Sequence, residues 1–173
     1  MEAVGWWRSL SEAPSGEDAT INVTAGELMQ SLQAERLTKL SKEDFRNVAD
    51  KVHAMIDYAR RVPNVVVGLP PNVPYTIPQK LDALCDHLWR QRTANDSSAL
   101  QVLDHILYGG SSAQLPERLW DATEDANWKI DRMGVSALGE LIGWAMPDTF
   151  PPRNGRTSKA LRSLGYDVRI HVT

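Results

Sequence analysis

Apolar residues recur every three or four positions along most of this chain, and this rhythm constrains its fold more than any other feature. The clearest run consists of Phe45, Val48, Val52, Met55 and Ala59. Such spacing places side chains on one face of an α-helix, whereas a half-buried strand requires strict alternation of apolar and polar residues. The pattern therefore predicts a mainly α protein.

Start and stop signals divide this rhythm into separate helices. N-cap residues or prolines mark the starts and glycines mark the ends. The signals are Thr24 with Glu27, Ser41 with Asp44, Pro78, Asp96 or Ser97, Gly109 with Gly110, Pro116, Gly134, Pro147 and Gly165. The helices they predict cover about 25–39, 41–60, 78–92, 97–108, 116–128, 135–146 and 157–164.

The predicted helices form one domain over residues 24–173, preceded by a loose N-terminal arm over residues 1–23. The length of 173 residues suits a single domain, and the apolar fraction of 42% is enough to build a core. Val65–Val67 is short and β-branched, and Tyr166–Val172 alternates polar with apolar residues. These two segments predict at most a short two-stranded β element.

Several protein classes are excluded by what the sequence lacks. No apolar run approaches the roughly 18 residues of a membrane span, and the acidic Glu2 stands where a secretory signal carries positive charge. We therefore expect a cytoplasmic protein without membrane contact. Cys85 has no second cysteine to pair with, and Cys85 and His87 do not face each other on a helix. No metal or other cofactor is expected.

Residues 129–168 are the most informative segment. Ile130 and Met133 flank a tight turn that ends at Gly134, and an apolar helix follows it. Pro147 ends that helix, and a proline-rich loop leads into a last helix that begins near Thr157. Two helices thus flank a structured loop.

This segment resembles the core of the helix-hairpin-helix DNA glycosylase superfamily, in which a Leu-Pro-Gly-Val-Gly-like hairpin precedes a helix and a loop with the catalytic aspartate. Here Ile130–Gly134 occupies the hairpin, and Asn154, twenty residues after Gly134, occupies the aspartate position. Phe150 and Pro151 before Asn154, and Gly155 after it, are also similar to the residues of the superfamily's catalytic loop. In addition, the segment resembles bacterial restriction or defence-associated proteins that carry a Pro-x-x-Phe-Pro-x-x-Asn pattern and a Leu-Gly-Tyr end.

The chain departs from the superfamily pattern at the positions that carry the chemistry. Glycosidic cleavage develops positive charge on the sugar, which a carboxylate stabilises, and Asn154 is neutral. Ser136 stands where the bifunctional members carry a Schiff-base lysine, and Asp131 and Arg132 replace the Pro-Gly of the hairpin. The resemblance thus implies DNA binding without catalysis, unless Asp148 supplies the missing carboxylate.

The last part of the chain has a local excess of positive charge. Residues 151–173 contain Arg153, Arg156, Lys159, Arg162 and Arg169 against Asp167 alone. The preceding fifty residues carry eight acidic and three basic residues, so the net charge of −3 averages an acidic body and a basic segment. Basic side chains and the N–H groups of a helix N-terminus both bind phosphate. The residues assigned to nucleic-acid contact are Arg132, Gly134, Arg153, Asn154, Arg156 and Lys159.

These assignments have structural alternatives. Arginine and lysine on an exposed helix face commonly serve only solubility, and Asn154–Gly155 is typical of a turn or a helix cap. Trp120, Trp128 and Trp144 fall on helical spacings, which favours core packing over base stacking.

Three functions follow in order of preference. The first is a non-catalytic nucleic-acid-binding module. The second is a helical protein-interaction or regulatory module, for example in a bacterial defence system, with an exposed apolar patch at Trp6 and Trp7 or along the terminal strand. The third is an active base-excision glycosylase that uses Asp148.

Overall fold

The structure is a computed structural model that describes Ser9 and residues 17–170, with residues 17–22 described by their backbone only. In these residues the chain forms α-helices and two short 3-10 helices, and no strand. The α-helices are α1 (Glu17–Ser31), α2 (Ala34–Leu37), α3 (Lys42–Ala49), α4 (His53–Arg61), α5 (Ile77–Arg90), α6 (Ala99–Tyr108), α7 (Leu115–Glu124), α8 (Val135–Ala145) and α9 (Gly155–Ser163). The prediction of a mainly α, single-domain fold is confirmed.

One apolar cluster forms the core and takes side chains from α1 to α8. Its largest fully buried members include Phe45, Leu88, Leu103 and Leu141. Helix α9 contributes no side chain to this cluster. The last helix is therefore held by contacts outside this cluster.

Several predicted helix ends are confirmed. Ser41 caps α3 in a capping box with Asp44, and Pro78 lies in the first turn of α5. Gly109 is the C-cap of α6, and Gly134 is the N-cap of α8. These ends depend on the local chemistry of one or two residues, which is why they can be predicted from sequence.

The helix predicted over residues 25–39 is wrong at its start and in its middle. Helix α1 begins at Glu17, so residues 17–23 of the predicted arm are helical, and the arm's tryptophans, Trp6 and Trp7, lie outside the described residues. The chain breaks after Ser31, because a continuous helix would place Leu37 on the face opposite Leu28, whereas both are buried. The Tyr108 hydroxyl donates to the Leu32 carbonyl at the break (2.7 Å).

The helix predicted over residues 41–60 is in fact two helices. Helix α3 ends at Ala49, and α4 begins at His53 after an extended Val52. Both halves keep their apolar residues in the core, as the spacing predicts. The break has a tertiary cause, because the carboxylate of Glu140 accepts the backbone N–H groups of His53 and Ala54.

The two-stranded β element is absent from the described residues. Val65–Val67 lies in a 3-10 helix (Asn64–Val67), because its backbone groups bond locally, with Val66 N–H to the Pro63 carbonyl and Gly68 N–H to the Val65 carbonyl. Residues 166–170 form no strand, and 171–173 lie outside the described residues.

Two further ends differ from prediction by a few residues. Ser98 caps α6 in place of Asp96 or Ser97, in a capping box with Gln101. Helix α7 ends at Glu124, so Trp128 lies in the turn that follows it. Helix boundaries shift in this way when several adjacent residues can serve as caps.

The lone cysteine is a core residue, as predicted. Cys85 is buried on α5, and burial raises the pKa of its thiol to about 12. A thiol with so high a pKa stays protonated near neutral pH and is a poor nucleophile.

Candidate functional site

A groove of about 960 Å³ lies between α4, α7, the turn before α8 and the start of α9. The six residues assigned to nucleic-acid contact all line it, although they come from two separate stretches of the chain. They are Arg132, Gly134, Arg153, Asn154, Arg156 and Lys159. The fold therefore brings the turn at Ile130–Gly134 and part of the basic segment to one surface.

The groove is strongly basic. Seven arginine and lysine side chains line it, against the three acidic side chains Asp57, Glu124 and Asp131. Arg60, Arg61 and Lys129 belong to this set and were missed by sequence reasoning. The Arg60–Arg61 pair at the end of α4 is visible in the sequence, but only the fold shows that it shares a surface with residues near 155.

Four of the seven basic side chains have no acidic partner among the residues that the structure describes. Arg60 pairs with Asp57 (3.5 Å) and Arg132 with Asp131 (2.8 Å), and the Asp131 carboxylate raises the pKa of the Arg132 guanidinium. Within the described residues, no carboxylate lies within 4.0 Å of the side-chain nitrogens of the groove's remaining basic residues on the turn and around α9. These are Lys129, Arg153, Arg156 and Lys159.

Only some of the basic residues in the segment 151–173 line the groove. Arg153, Arg156 and Lys159 line the groove, whereas Arg162 and Arg169 do not. Arg162 lies in the last turn of α9, beyond the end of the groove. The segment thus supplies three groove residues and two basic residues on other surfaces.

Buried side chains and two hydrogen bonds with a remote glutamine hold the turn before α8 in place. Ile130 and Met133 are buried at its ends, and the side-chain amide of Gln91 bonds to both the N–H and the carbonyl of Asp131 (2.9 and 3.0 Å). Gln91 was missed because it is 40 residues away in sequence. The anchoring fixes the position of Gly134 at the groove.

Helix α8 presents an uncapped N-terminus at this turn. Its N-cap, Gly134, has no side chain that can accept a hydrogen bond, and no acceptor among the described residues takes the N–H groups of Val135, Ser136 or Ala137. Free N–H groups at a helix N-terminus favour an anion. The N-termini of α4 and α9, by contrast, are capped by Glu140 and Asn154.

Arg132 occupies a backbone conformation that favours glycine, with φ at 69°. It stands where the resemblance puts the first glycine of the hairpin. A side chain in this region costs about 1–2 kcal/mol. We expect Arg132→Gly to be about 1 kcal/mol more stable than Arg132→Ala, because both remove the guanidinium and only glycine relieves the backbone.

Urea unfolding of the two Arg132 variants measures this difference directly. The comparison cancels the loss of the Asp131 contact, which is common to both. Equal stability of the two variants, or a more stable alanine variant, would contradict the expected strain.

Asn154 is the N-cap of α9. This is the helix-cap role that the sequence offers as the alternative to nucleic-acid contact. Its Oδ1 accepts from the N–H groups of Arg156 (2.9 Å) and Thr157 (3.2 Å), and its Nδ2 donates to Glu140 (3.1 Å). Both ends of the amide are therefore engaged within the protein. Asn154 lines the groove as a residue that positions α9.

Glu140 connects the N-terminus of α4 with the N-cap residue of α9. Its side chain is only 2% exposed, and its carboxylate accepts from His53 N–H (2.8 Å), Ala54 N–H (3.0 Å) and the Asn154 amide. It thereby caps α4 and fixes the cap of α9. The sequence places an acid inside an apolar helix face here, which is a usable signal for a buried polar role.

Two glycines of α8 allow the loop before α9 to approach closely. A Cβ at Gly143 would overlap the backbone of Pro152, and one at Gly139 would lie 2.9 Å from the Arg153 carbonyl oxygen. The Gly139 carbonyl also accepts the Arg153 N–H (3.2 Å). The Gly-x-x-x-Gly spacing at 139–143 is the sequence signal for this contact.

Neither Asp148 nor Glu140, the two acidic residues that most closely precede Asn154 in the sequence, lines the groove. Asp148 is exposed in the turn after α8 and does not line the groove, which leaves the glycosylase hypothesis without geometric support. Glu140 is close to Asn154, but it is buried and already accepts three N–H donors. Ser136, at the lysine position of the resemblance, does line the groove.

Trp120 is the clearest correction to the predicted core. It is 67% exposed and lines the groove, whereas Trp128 and Trp144 are partly buried against the core. Trp128 stacks on His105 with ring centroids 3.6 Å apart. The helical spacing of α7 identified an apolar position but could not show which face the core covers.

Comparison with protein-family models, with curated proteins and with solved structures gave no match to this chain. None of the helices in the described residues is both long and apolar enough to cross a membrane. The groove and its residues are consequently the features from which a function can be inferred.

Proposed function

We propose that this chain is a non-catalytic nucleic-acid-binding module whose groove holds a phosphate backbone. The observation that carries the proposal is the charge of the groove. Seven basic side chains meet three acidic ones there, in a chain whose net charge is −3. Such local concentration of charge on an acidic protein is typical of a polyanion-binding surface.

The backbone geometry supports the same function. The open N-terminus of α8 offers N–H donors to a phosphate, and Arg132 lies two residues before its cap, on the wall of the groove. Arg153, Arg156 and Lys159 line the same groove. The contacts reach phosphates, which position a nucleic acid without reading its sequence.

The residue at the position of the superfamily's catalytic aspartate supports binding without cleavage. The position that the resemblance assigns to the catalytic aspartate is an asparagine whose amide caps α9. Cleavage of a glycosidic bond needs negative charge near the sugar. We therefore expect bound nucleic acid to be recovered unchanged.

The test is binding of a labelled single strand and of its duplex over a salt series. We expect the logarithm of the binding constant to fall linearly with the logarithm of salt concentration. The double variant Arg156→Gln/Lys159→Gln should reduce this slope by about two and weaken binding by about tenfold at low salt.

A matched control comes from the same basic segment. Arg162→Gln/Arg169→Gln removes the same charge outside the groove and should change affinity less than threefold. If the protein binds neither form at low salt, or if both double variants weaken binding equally, the groove is not the binding surface.

A protein-interaction module is the second candidate. The end of α9 exposes Leu161, Leu164 and Tyr166, which is the kind of apolar surface this function requires. These side chains lie outside the groove lining. A Leu164→Asp variant separates the functions, because it should abolish partner binding and leave nucleic-acid affinity unchanged.

A further inference from the structure

We infer that the groove binds a single-stranded nucleic acid and that one base stacks on the indole ring of Trp120. This inference rests on the proposed function and specifies the form of nucleic acid. Trp120 lies on α7, is 67% exposed and lines the groove. Its exposed ring is available to a flat, apolar ligand surface.

The elements that line the groove differ in charge. Helix α7 lines it with Pro116, Leu119, Trp120, Thr123 and Glu124, and so contributes no basic residue. All seven basic side chains come from α4, the turn before α8, and the segment that runs from Arg153 into α9. The charges therefore favour a phosphate backbone along these elements and disfavour it along α7, where Glu124 would repel it.

The exposure of Trp120 is not explained by packing. Helix α7 buries Leu115, Arg118 and Ala122, and its helical period turns Trp120 away from these residues. The other tryptophans with described side chains, Trp89, Trp128 and Trp144, all pack against the core. An exposed tryptophan on the wall of a basic groove is the arrangement that proteins use to stack unpaired bases.

Stacking distinguishes a single strand from a duplex. In a duplex the faces of the bases are covered by their neighbours, and a protein reaches only the base edges in the grooves. An unpaired strand offers both its phosphates and the faces of its bases. A groove that is lined both by basic residues and by an exposed indole matches the second form.

The experiment compares the affinities of the wild-type protein and the Trp120 variants for oligo-dT, oligo-U and a duplex of equal length. We expect wild-type protein to bind at least one single strand about tenfold or more tightly than the duplex. Trp120→Ala should lower single-strand affinity about tenfold and change duplex affinity less than twofold. Trp120→Phe should retain most of the affinity, because the phenyl ring also stacks.

Tyr166→Ala is the matched control, because it removes an aromatic side chain that is 61% exposed and lies outside the groove lining. It should leave both affinities unchanged. Thermal unfolding by circular dichroism verifies that Trp120→Ala is folded, as its exposure predicts.

The possible failures are distinguishable. If wild-type protein binds neither form at low salt, both the proposed function and the stacking inference are wrong. If Arg156→Gln/Lys159→Gln weakens binding but Trp120→Ala does not, or if Trp120→Ala weakens duplex binding equally, only the stacking inference is overturned. A wild-type preference for duplex overturns it as well.

Discussion

Replacing Glu140 by alanine is expected to lower the free energy of unfolding by about 3 kcal/mol. The carboxylate accepts from His53 N–H, Ala54 N–H and the Asn154 amide at 2.8–3.1 Å. Alanine leaves all three donors without an acceptor, and each such donor costs about 1 kcal/mol or more when shielded from water. Urea unfolding followed by far-UV circular dichroism measures the loss.

Two further substitutions separate this effect from a general loss of negative charge. Glu140→Gln keeps one carbonyl oxygen but turns an N–H toward the donors, so its stability should fall between those of wild type and Glu140→Ala. Glu117→Ala removes an exposed acid from the first turn of α7 and should cost no more than about 0.5 kcal/mol. A loss below about 1 kcal/mol in Glu140→Ala would show that the bonds are not structural.

Replacing Gly143 by alanine is expected to destabilise the protein by about 2–3 kcal/mol. The new Cβ would overlap the Cα and N atoms of Pro152 and lie 2.7 Å from the Pro151 carbonyl carbon. Backbone atoms of a proline pair cannot rotate away as a flexible side chain can. This clash outweighs the gain of about 1 kcal/mol that alanine offers over glycine in a helix.

Gly26→Ala is the matched control, because it makes the same change inside a helix. Gly26 lies in α1, and a Cβ there would meet no atom within 4 Å. We expect it to stabilise the protein by up to about 1 kcal/mol, so the two variants should move the urea midpoint in opposite directions. A shift in the same direction for both would contradict the close packing of α8 on the loop.

Both destabilising changes should also weaken nucleic-acid binding in molecules that remain folded. Helix α9 adds no side chain to the core, so its place depends on the Glu140–Asn154 bond and on the packing of the Pro151–Arg153 loop against α8. Loss of either contact frees Arg156 and Lys159 from the groove. Affinity measured well below the unfolding midpoint detects this coupling.

Local chemistry made much of the fold predictable. Ser41 and Asn154 form their caps because each depends on bonds to residues within three positions. The apolar rhythm likewise identified buried residues such as Phe45, Val48 and Met55. These features need no knowledge of the rest of the chain.

Other features could not be predicted because their causes are remote in sequence. The break between α3 and α4 depends on Glu140, which is 87 residues from His53. The exposure of Trp120 depends on which face of α7 the core covers. The predicted strand at Val65–Val67 failed because no partner strand exists in the described residues, and local bonds form instead.

The features of the candidate site also fall into those that local sequence predicts and those that depend on the packing of remote segments. By itself the sequence determined a mainly α chain with a turn at Ile130–Gly134, a capped last helix and an excess of basic residues after Pro151. Only the tertiary structure brought these segments together with Arg60 and Trp120 into one groove. Periodicity and capping act over a few residues, whereas the shape and charge of a groove depend on how separate helices pack.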